Sequence, residues 1–373
     1  MVQQPVSHYA RALRGVLPTE AFEPAPLRGL WLVLHVAIAA GGIAVLGVLA
    51  PPWPVALLLS LVIGHSFACG AFVAHEALHG AVVRQRDLRR LIGWLGFLPF
   101  GISPKLWVAW HNKLHHGHTG AVDVDPDAYA TLEAYRRRPA LRIIRPLTPG
   151  QGNWGGWLTL VIGLIGQTTK MLIQSRRLLG FTRADHWTAI GETLGAIAVW
   201  VTLGVVLGPL MFVFAVLIPV LVGNSILTGY ILTNHTLSPL TDVNDPLLNS
   251  LSVTTSRVVE VLHLGFGFHV EHHIFPSMSP RHARRVRELL QERWPERYQS
   301  MPVLDALRRI FATARVYKDA WTLIDPPSGR EFSTLAPRTH SGRPHEGGGA
   351  VPIGDGDHGA FPHRDPAGVA AGN

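Results

Sequence analysis

The chain has 373 residues, of which 47% are hydrophobic and only 16% are charged, and its mean hydropathy is +0.22. This composition excludes an ordinary soluble domain and indicates an integral membrane protein. The formal net charge of +8 does not indicate nucleic-acid binding, because the basic residues flank apolar segments, as the positive-inside rule expects. The single cysteine, Cys69, excludes an internal disulfide and a cysteine-based zinc or iron–sulfur site, and agrees with a reducing, cytosol-facing protein.

The first predicted element is a transmembrane hairpin. Residues 1 to 27 are polar and lack the apolar core and cleavage site of a signal peptide, so they predict a cytosolic N-terminal arm. Two apolar runs follow, Leu30 to Ala50 and Val55 to Ala74, separated by the break PPWP. Each run has about 20 residues, enough to cross a hydrocarbon core of about 30 Å. The hairpin returns the chain to its starting side at His75.

A second pair of apolar runs lies at Trp187 to Leu207 and Pro209 to Leu232, and ends beside His235. Neither hairpin turn contains Lys or Arg, whereas residues 81 to 145 are rich in both. By the positive-inside rule, this basic segment and the span ends that adjoin it are cytosolic. Its basic residues are Arg84, Arg86, Arg89, Arg90, Lys105, Lys113, Arg136, Arg137, Arg138, Arg142 and Arg145.

Two further apolar stretches, Leu91 to Trp110 and Trp154 to Ile173, are interpreted as interfacial or re-entrant helices along the cytosolic leaflet. If the first crossed the membrane, the histidines before and after it would lie on opposite faces and could not share a metal site. Proline and glycine between Pro99 and Pro104 also interrupt it, and the second stretch contains a polar run from Gln167 to Lys170. The alternative, that one of the two spans the bilayer, stays open at this point.

The C-terminal part begins with a basic amphipathic helix, whose start is predicted at Ser279 and Pro280 and whose apolar stripe includes Val286 and Trp294. Such a helix suits an anionic lipid surface, an acidic protein partner or a solvated position on a cytosolic cap. Residues 326 to 373 are rich in Gly, Pro and His with little apolar periodicity, and predict a disordered tail. The tail histidines excluded as metal ligands are His340, His345, His358 and His363.

Three histidine motifs adjoin the ends of the predicted spans. Histidines three or four positions apart share one face of a helix, so the imidazoles of each motif should converge on one point. Neutral imidazole is the commonest protein ligand of transition metals, and eight imidazoles exceed what one ion can hold. A pair of ions at the membrane face is therefore predicted, with zinc, copper, iron and nickel all open. The motifs are HEALHG with His75 and His79, HNKLHHGHTG with His111, His115 and His116, and GFGFHVEHHIFP with His269, His272 and His273.

The three motifs resemble those of the membrane fatty acid desaturase family. The pattern is H-x3-H, then H-x3-HH followed by Thr119 and DVDPD at 123 to 127, then H-x2-HH followed by IFP. The order of hairpin, two motifs, hairpin and third motif is also similar, over residues 28 to 320. Together, the elements and the resemblance imply an all-α membrane domain over residues 28 to 325. Four transmembrane helices form two hairpins in this domain, and interfacial helices and a cytosolic helical cap hold the metal centre.

The resemblance also implies the metal and its ligands. The expected site is a di-iron centre that uses O2 and two electrons to introduce a double bond into an acyl chain. His235 matches an extra histidine that such enzymes supply after their last transmembrane helix. The remaining implied ligands are His75, His79, His111, His115, His116, His269, His272 and His273.

Other polar residues near the motifs have weaker assignments. His65 lies ten residues before His75, about 15 Å along the helix, and is predicted to be a buried, hydrogen-bonded residue outside the metal site. His118, His263 and His282 lack the motif spacing and stay unassigned. Four carboxylates are candidates to accept the free N–H of a ligand imidazole; the alternative is that they face water. They are Glu76, Glu271, Asp125 and Asp127.

Partners and rival functions follow from the same residues. The resemblance implies an acyl-lipid or acyl-thioester substrate. A separate electron donor such as a ferredoxin is expected, because the third motif begins with His269 and not glutamine, and no cytochrome b5 segment with HPGG is visible.

Hydroxylases and carotenoid ketolases use similar motifs, so oxygen insertion stays an alternative. HEALH also matches the zinc-protease signature with Glu76 as general base, but that mechanism leaves two motifs unused.

Overall fold

The computed structural model describes residues 2–335, and helices form the whole N-terminal half apart from turns. The α-helices there are α1 (Val6–Arg14), α2 (Gly29–Leu49), α3 (Trp53–Leu78), α4 (Arg86–Phe97), α5 (Pro104–Trp107), α6 (His116–His118), α7 (Leu132–Arg137), α8 (Pro139–Ile144) and α9 (Gly156–Gln174). A π-helix lies at Val108–His115. Short 3-10 helices lie at Thr19–Phe22, Pro26–Arg28, Leu98–Phe100, Arg145–Leu147 and Ser175–Arg177.

The C-terminal half adds two small sheets to the helices. The helices are α10 (Arg183–Phe212), a π-helix at Val213–Leu217, α11 (Ile218–His235), α12 (Pro246–Asn249), α13 (Arg257–Leu262), α14 (His269–Ile274), a 3-10 helix at Pro280–His282, α15 (Ala283–Arg293) and α16 (Val303–Ala312). Strands β1 (Ser252–Thr254) and β2 (Ser300–Pro302) pair in parallel. Strands β3 (Val316–Tyr317), β4 (Thr322–Ile324) and β5 (Glu331–Ser333) form an antiparallel sheet. The mostly helical fold agrees with the prediction, whereas the strands were not predicted.

Four helical segments among the described residues are long and apolar enough to cross a membrane: Pro26–Leu49, Trp53–Leu78, Gly156–Arg177 and Arg183–His235. The first, second and fourth contain the runs that the sequence predicts as spans. The fourth has 53 residues, which would measure about 80 Å as one straight helix. It is interrupted at Gly208, whose φ of 72° and ψ of 168° are not helical. The chain therefore bends there, at the predicted break.

The two stretches predicted to be interfacial differ from each other. The first forms a bent pair of helices, Arg86–Phe100 and Pro104–His118, which meet at 103°. The bend has a local cause, because Gly101 adopts a left-handed conformation with φ of 63° and Ser103 caps the new helix by accepting the Leu106 N–H. The second stretch forms α9, which meets the length and composition of a span. Its position along the membrane surface therefore stays a prediction.

Helix α3 is the centre of the helical core. It packs against α2, α4 and α11, and every residue from Ser66 to Leu78 is buried. Glycines make the approach of α4 possible, because a Cβ on Gly96 would overlap the carbonyl oxygen of Gly70 and lie 2.8 Å from the Cβ of Ala74. The end of α3 that carries the first histidine motif is consequently enclosed by protein on all sides.

A second core lies in the cap, the name used here for α1, α12, α14 and α15. Tyr9 and Leu13 of the N-terminal arm are fully buried there against the third histidine motif segment. The Tyr9 hydroxyl donates to Oδ1 of Asp245 at 3.0 Å. The apolar stripe of α15, including Val286 and Leu290, packs into the same core. This packing agrees with the setting on the cap, where Arg284, Arg285 and Arg293 are exposed and Arg287 turns inward to Glu271.

The folded region extends past the predicted boundary at residue 326. Strand β5 pairs with β4, and the Leu335 N–H donates to the Leu237 carbonyl at 2.8 Å. The prediction of disorder is therefore wrong for residues 326 to 335, because backbone pairing to distant residues orders a segment with little apolar periodicity. The rest of the predicted tail lies outside the described residues, and with it His340, His345, His358 and His363.

We expect Gly96→Ala to destabilise the protein by about 1–3 kcal/mol, because the added methyl group must push α4 away from α3. The melting temperature of the purified protein in detergent measures this effect. Gly191→Ala in α10 is the matched control, since a Cβ there meets no atom within 4 Å and alanine favours the helix. Equal melting temperatures of the two variants would contradict the close approach of α3 and α4.

Candidate metal centre

The nine histidines singled out in the sequence meet around two neighbouring points. Eight of them form two groups of four, and in each group one potential ligand nitrogen per residue lies within 4.8 Å of the others. The first histidine cluster consists of His75, His79, His111 and His272. The second histidine cluster consists of His115, His235, His269 and His273.

His116 lies between the two clusters. Its Nε2 atom is 3.2 Å from Nε2 of His111 and 3.1 Å from Nε2 of His272, both in the first cluster. Its ring stacks on the ring of His273 in the second cluster, with centroids 4.2 Å apart. Through His116, the two clusters share one continuous group of imidazoles.

The second motif divides between the clusters because its helix is not a regular α-helix. The segment Val108–His115 is a π-helix, in which hydrogen bonds join residues i and i+5. The His116 N–H accordingly donates to the His111 carbonyl, and the two side chains meet. His115 belongs to the second cluster, although its ring stacks on that of His111 with centroids 5.2 Å apart and the two form a further group of potential ligands with Asp127. The prediction that all three imidazoles of this motif converge on one point is therefore wrong.

The third motif also divides. His269 and His273 are one turn apart on α14 and enter the second cluster, whereas His272 points to the first. Only the first motif behaves as its spacing predicts, since His75 and His79 belong to the same cluster. The helical face argument thus finds residues that the structure brings together, but not their grouping.

The donor set fits transition-metal ions. Nitrogens that bind one ion at about 2.1 Å, with tetrahedral or octahedral angles, lie about 3.0–3.4 Å from each other. Nε2 of His111 lies 3.2 Å from Nε2 of His75, within this range. Nε2 of His79 and Nε2 of His273 are buried and have no hydrogen-bond partner among the described residues. Buried nitrogens without partners are costly, and a shared ion removes that cost.

Three imidazoles of the second cluster have a partner for Nδ1, which leaves Nε2 for a metal. The His115 Nδ1–H donates to Oδ1 of Asp125 at 3.0 Å, and the His235 Nδ1–H donates to the Asn249 carbonyl at 2.8 Å. The Thr119 hydroxyl donates to the His115 carbonyl, so its oxygen can accept from Nδ1 of His273 at 3.3 Å. Each partner fixes both the tautomer and the direction of its ring.

Burial also keeps the imidazoles of α14 in the ligand form. Desolvation lowers the pKa of His272 to about 3, with a further contribution from the nearby His115. Burial likewise holds the pKa of His269 and of His273 well below the usual value. These rings are therefore neutral at cellular pH, and neutral imidazole is the state that binds metals.

The four predicted carboxylate partners have different outcomes. Asp125 is confirmed by its hydrogen bond with His115, and backbone N–H groups of Gly120 and Asp127 hold its two oxygens in place. Asp127 itself lies 3.5 Å from Nδ1 of His115 and accepts from the side chains of Trp110 and Gln167. Asp127 therefore helps to hold its own segment in place and contributes less than Asp125 to the orientation of the His115 ring.

The predictions for Glu76 and Glu271 are wrong, because both carboxylates have other partners. Arg28 forms a bidentate ion pair with Glu76 and also donates to the Leu264 carbonyl. Glu271 is fully buried and accepts hydrogen bonds from Ser252, Arg287 and Tyr298. These pairs neutralise the carboxylates beside the imidazoles and anchor the first and third motifs to surrounding elements.

A small cavity of about 30 Å³ adjoins both clusters. His75, His269 and His272 line it together with Phe266 and Phe275. A space of this size holds a water-sized molecule and is far too small for an acyl chain. This cavity alone therefore does not accommodate a long substrate.

Several site residues were not found from the sequence. Thr119 and Asn249 contact ring nitrogens of residues 154 and 14 positions away, and Arg28 reaches Glu76 across 48 positions. No local pattern signals such contacts. His65, predicted to be buried and outside the metal site, is half-buried beside the Cys69 sulfur and lies outside both clusters, and the unassigned His118 is exposed.

Comparison with known proteins agrees with the geometry. The fatty acid desaturase family matches residues 51–304. An sn-1 oleoyl-lipid 12-desaturase of Synechocystis sp. is 23% identical over 337 residues, which are 86% of this chain and 90% of that protein. An acyl-lipid (7-3)-desaturase of Rebecca salina is 25% identical over 305 residues, which are 69% of this chain and 64% of that protein.

A third relative, an sn-1 acyl-lipid omega-3 desaturase (ferredoxin) of Synechocystis sp., is 30% identical over 122 residues, 32% of this chain and 33% of its own length. The region that matches the family covers more than half of the chain and contains every histidine of both clusters. The names of the relatives agree on one reaction class. The chain therefore belongs to the fatty acid desaturase family and is an oxidoreductase that desaturates acyl chains.

Proposed function

We propose that this desaturase is an integral membrane enzyme whose two histidine clusters hold two iron ions. The observation that supports this most directly is the pair of groups of four buried or half-buried imidazoles, joined through His116. Four neutral nitrogens can hold one ion and leave positions open for other ligands. The proposed ligands are His75, His79, His111, His115, His116, His235, His269, His272 and His273.

Iron is proposed because the reaction is an oxidation. Imidazole binds zinc, copper, iron and nickel alike, but zinc has no redox chemistry. Bound iron would supply the oxidising power needed to remove hydrogen from an unactivated methylene group. Overall, the two hydrogens from the acyl chain, two electrons and two protons reduce O2 to two molecules of water, and the acyl chain gains a double bond.

The protein itself orients the ligand rings, excludes water from the site and positions the acyl chain. Asp125, Thr119 and the Asn249 carbonyl hold ring nitrogens in one direction. Phe266 and Phe275 line the cavity beside His75, His269 and His272, and their apolar rings would disfavour water there. The carbon that is oxidised is then selected by its position in an apolar path, through proximity and orientation.

We propose an acyl lipid as the substrate and a separate, ferredoxin-like protein as the electron donor. The first is supported by the name of the 12-desaturase, which specifies an oleoyl lipid, and its match along 86% of this chain. The second is supported by the ferredoxin named for the omega-3 desaturase. Purified protein in lipid vesicles should form product with a reduced ferredoxin and not without a donor.

We propose that α2 with α3, and α10 with α11, cross the membrane as two hairpins, and that both clusters face the cytosol. His79 follows the end of α3 and His235 ends α11, so histidines lie at the same end of both hairpins. The basic residues between 81 and 145 adjoin this end, which the positive-inside rule places in the cytosol. The bent pair and the cap then cover the clusters from the cytosolic side.

Expression in a desaturase-deficient host should produce acyl lipids that are lighter by two hydrogen atoms, as measured by mass spectrometry of total lipids. His272→Ala should abolish these products, because it removes a ligand of the first cluster. The matched control is His118→Ala, which changes an exposed histidine beside the second motif that belongs to neither cluster. Products heavier by one oxygen atom would instead indicate a hydroxylase.

Asp125→Asn should weaken metal binding by about 10- to 100-fold, because the amide no longer fixes the His115 ring as a carboxylate does. Iron per chain after dialysis against a chelator measures this loss, starting from two irons in the unmodified protein. Asp123→Asn in the same DVDPD segment is the control, since Asp123 is exposed and asparagine tolerates its φ of 59°. Equal loss in both variants would count against an orienting role for Asp125.

A further inference from the structure

A third group of potential metal ligands lies outside both histidine clusters. It consists of His35 on α2 and of His65 and Cys69, one turn apart on α3. One potential ligand atom from each residue lies within 4.8 Å of the others. The Cys69 sulfur is 3.7 Å from Nε2 of His65 and 3.8 Å from its Nδ1.

His35 provides an independent indication of a missing partner. Its side chain is 6% exposed, and its Nε2 atom is buried without a hydrogen-bond partner among the described residues. Its Nδ1 atom lies 3.3 Å from the hydroxyl of Ser66, so that hydroxyl can hold the ring in the tautomer that leaves Nε2 free. An unsatisfied buried nitrogen on an apolar helix is costly, and such residues commonly serve a function.

The group is separate from the desaturation site. His65 precedes His75 by ten residues on α3, about 15 Å along the helix, and Cys69 precedes it by about 9 Å. The end of α13 contacts the group, because the Cys69 thiol donates to the carbonyl of Leu262, the last residue of that helix, at 3.2 Å. The ring of His263 lies 5.4 Å from that of His65.

We propose that His35, His65 and Cys69 form a third metal site, for an ion that accepts mixed sulfur and nitrogen ligands. Zn²⁺ fits this donor set best, because zinc combines cysteine and histidine ligands and tolerates three protein ligands with a fourth position open. Ligand atoms at about 2.3 Å for sulfur and about 2.1 Å for nitrogen lie about 3.6 Å apart in a tetrahedral site, close to the separation of Cys69 and His65.

Binding at this site has a defined proton balance. The Cys69 thiol loses its proton to solvent when its sulfur binds Zn²⁺, and the Leu262 carbonyl loses that donor. No electron is transferred. The ion connects α2 to α3, so it should raise the melting temperature by binding only the folded state. The presence of only one cysteine excludes a zinc site built from several cysteines. It does not exclude a site in which Cys69 binds together with two histidines.

The first test uses Co²⁺ as the probe on the full chain purified in detergent. Because Cys69 is the only cysteine, a thiolate-to-cobalt charge-transfer band in the near ultraviolet reports on this site and not on the histidine clusters. We expect the band in the unmodified protein and in His272→Ala, its loss in Cys69→Ala, and its displacement by Zn²⁺. His35→Gln and His65→Gln should each weaken cobalt binding by more than about tenfold, since removal of even an outer partner has that effect.

A second test requires no substitution and so avoids variants that fail to fold. Zn²⁺ should slow the alkylation of Cys69 by a maleimide in the unmodified protein, as followed by mass spectrometry. Mg²⁺ at the same concentration is the control and should leave the rate unchanged, because thiolate ligands do not favour it. The proposal is overturned if cobalt binds without a thiolate band, if the band survives in both histidine variants, or if Zn²⁺ leaves the alkylation rate unchanged.

Discussion

The gathering of nine buried or half-buried imidazoles in one region is the constraint on which the rest of the structure depends. A buried ring nitrogen needs a partner, and Nε2 of His79 and Nε2 of His273 have none within the described part of the chain. The proposed pair of metal ions would supply one to each. The long helices, the π-helix, the end of α11 and the cap can be understood as the parts that carry these rings to two points.

The carboxylates beside the clusters have charge partners other than the proposed metal ions. Glu76 follows His75 directly, and Glu271 lies between His269 and His272 in the sequence, yet both carboxylates bind arginine and hydroxyl groups instead. Buried carboxylates keep their charge only when they are paired in this way. The ion pairs also connect the start of α2, through Arg28, and α15, through Arg287, to the first and third motifs.

The membrane segments were predictable because the physical requirement is local. A span needs length and apolar composition, and both can be read from consecutive residues, as in the runs that became α2 and α3. The break at Gly208 was equally local. In contrast, α9 satisfies the same requirement in spite of its polar run, so composition could not decide whether it spans the membrane. Strands β1 to β5 depend on partners far away in the chain, so composition could not predict them either.

By itself, the sequence determined which residues are proposed as metal ligands. The histidines at 75, 79, 111, 115, 116, 269, 272 and 273 were singled out by their spacing in three motifs, and His235 by the resemblance to the family. Only the tertiary structure decided how they divide, through the π-helix that brings His116 beside His111 and the single turn of α14 that faces both clusters. It also revealed Thr119, Asn249 and His35, since contacts between distant residues depend on packing and leave no pattern in the order of the chain.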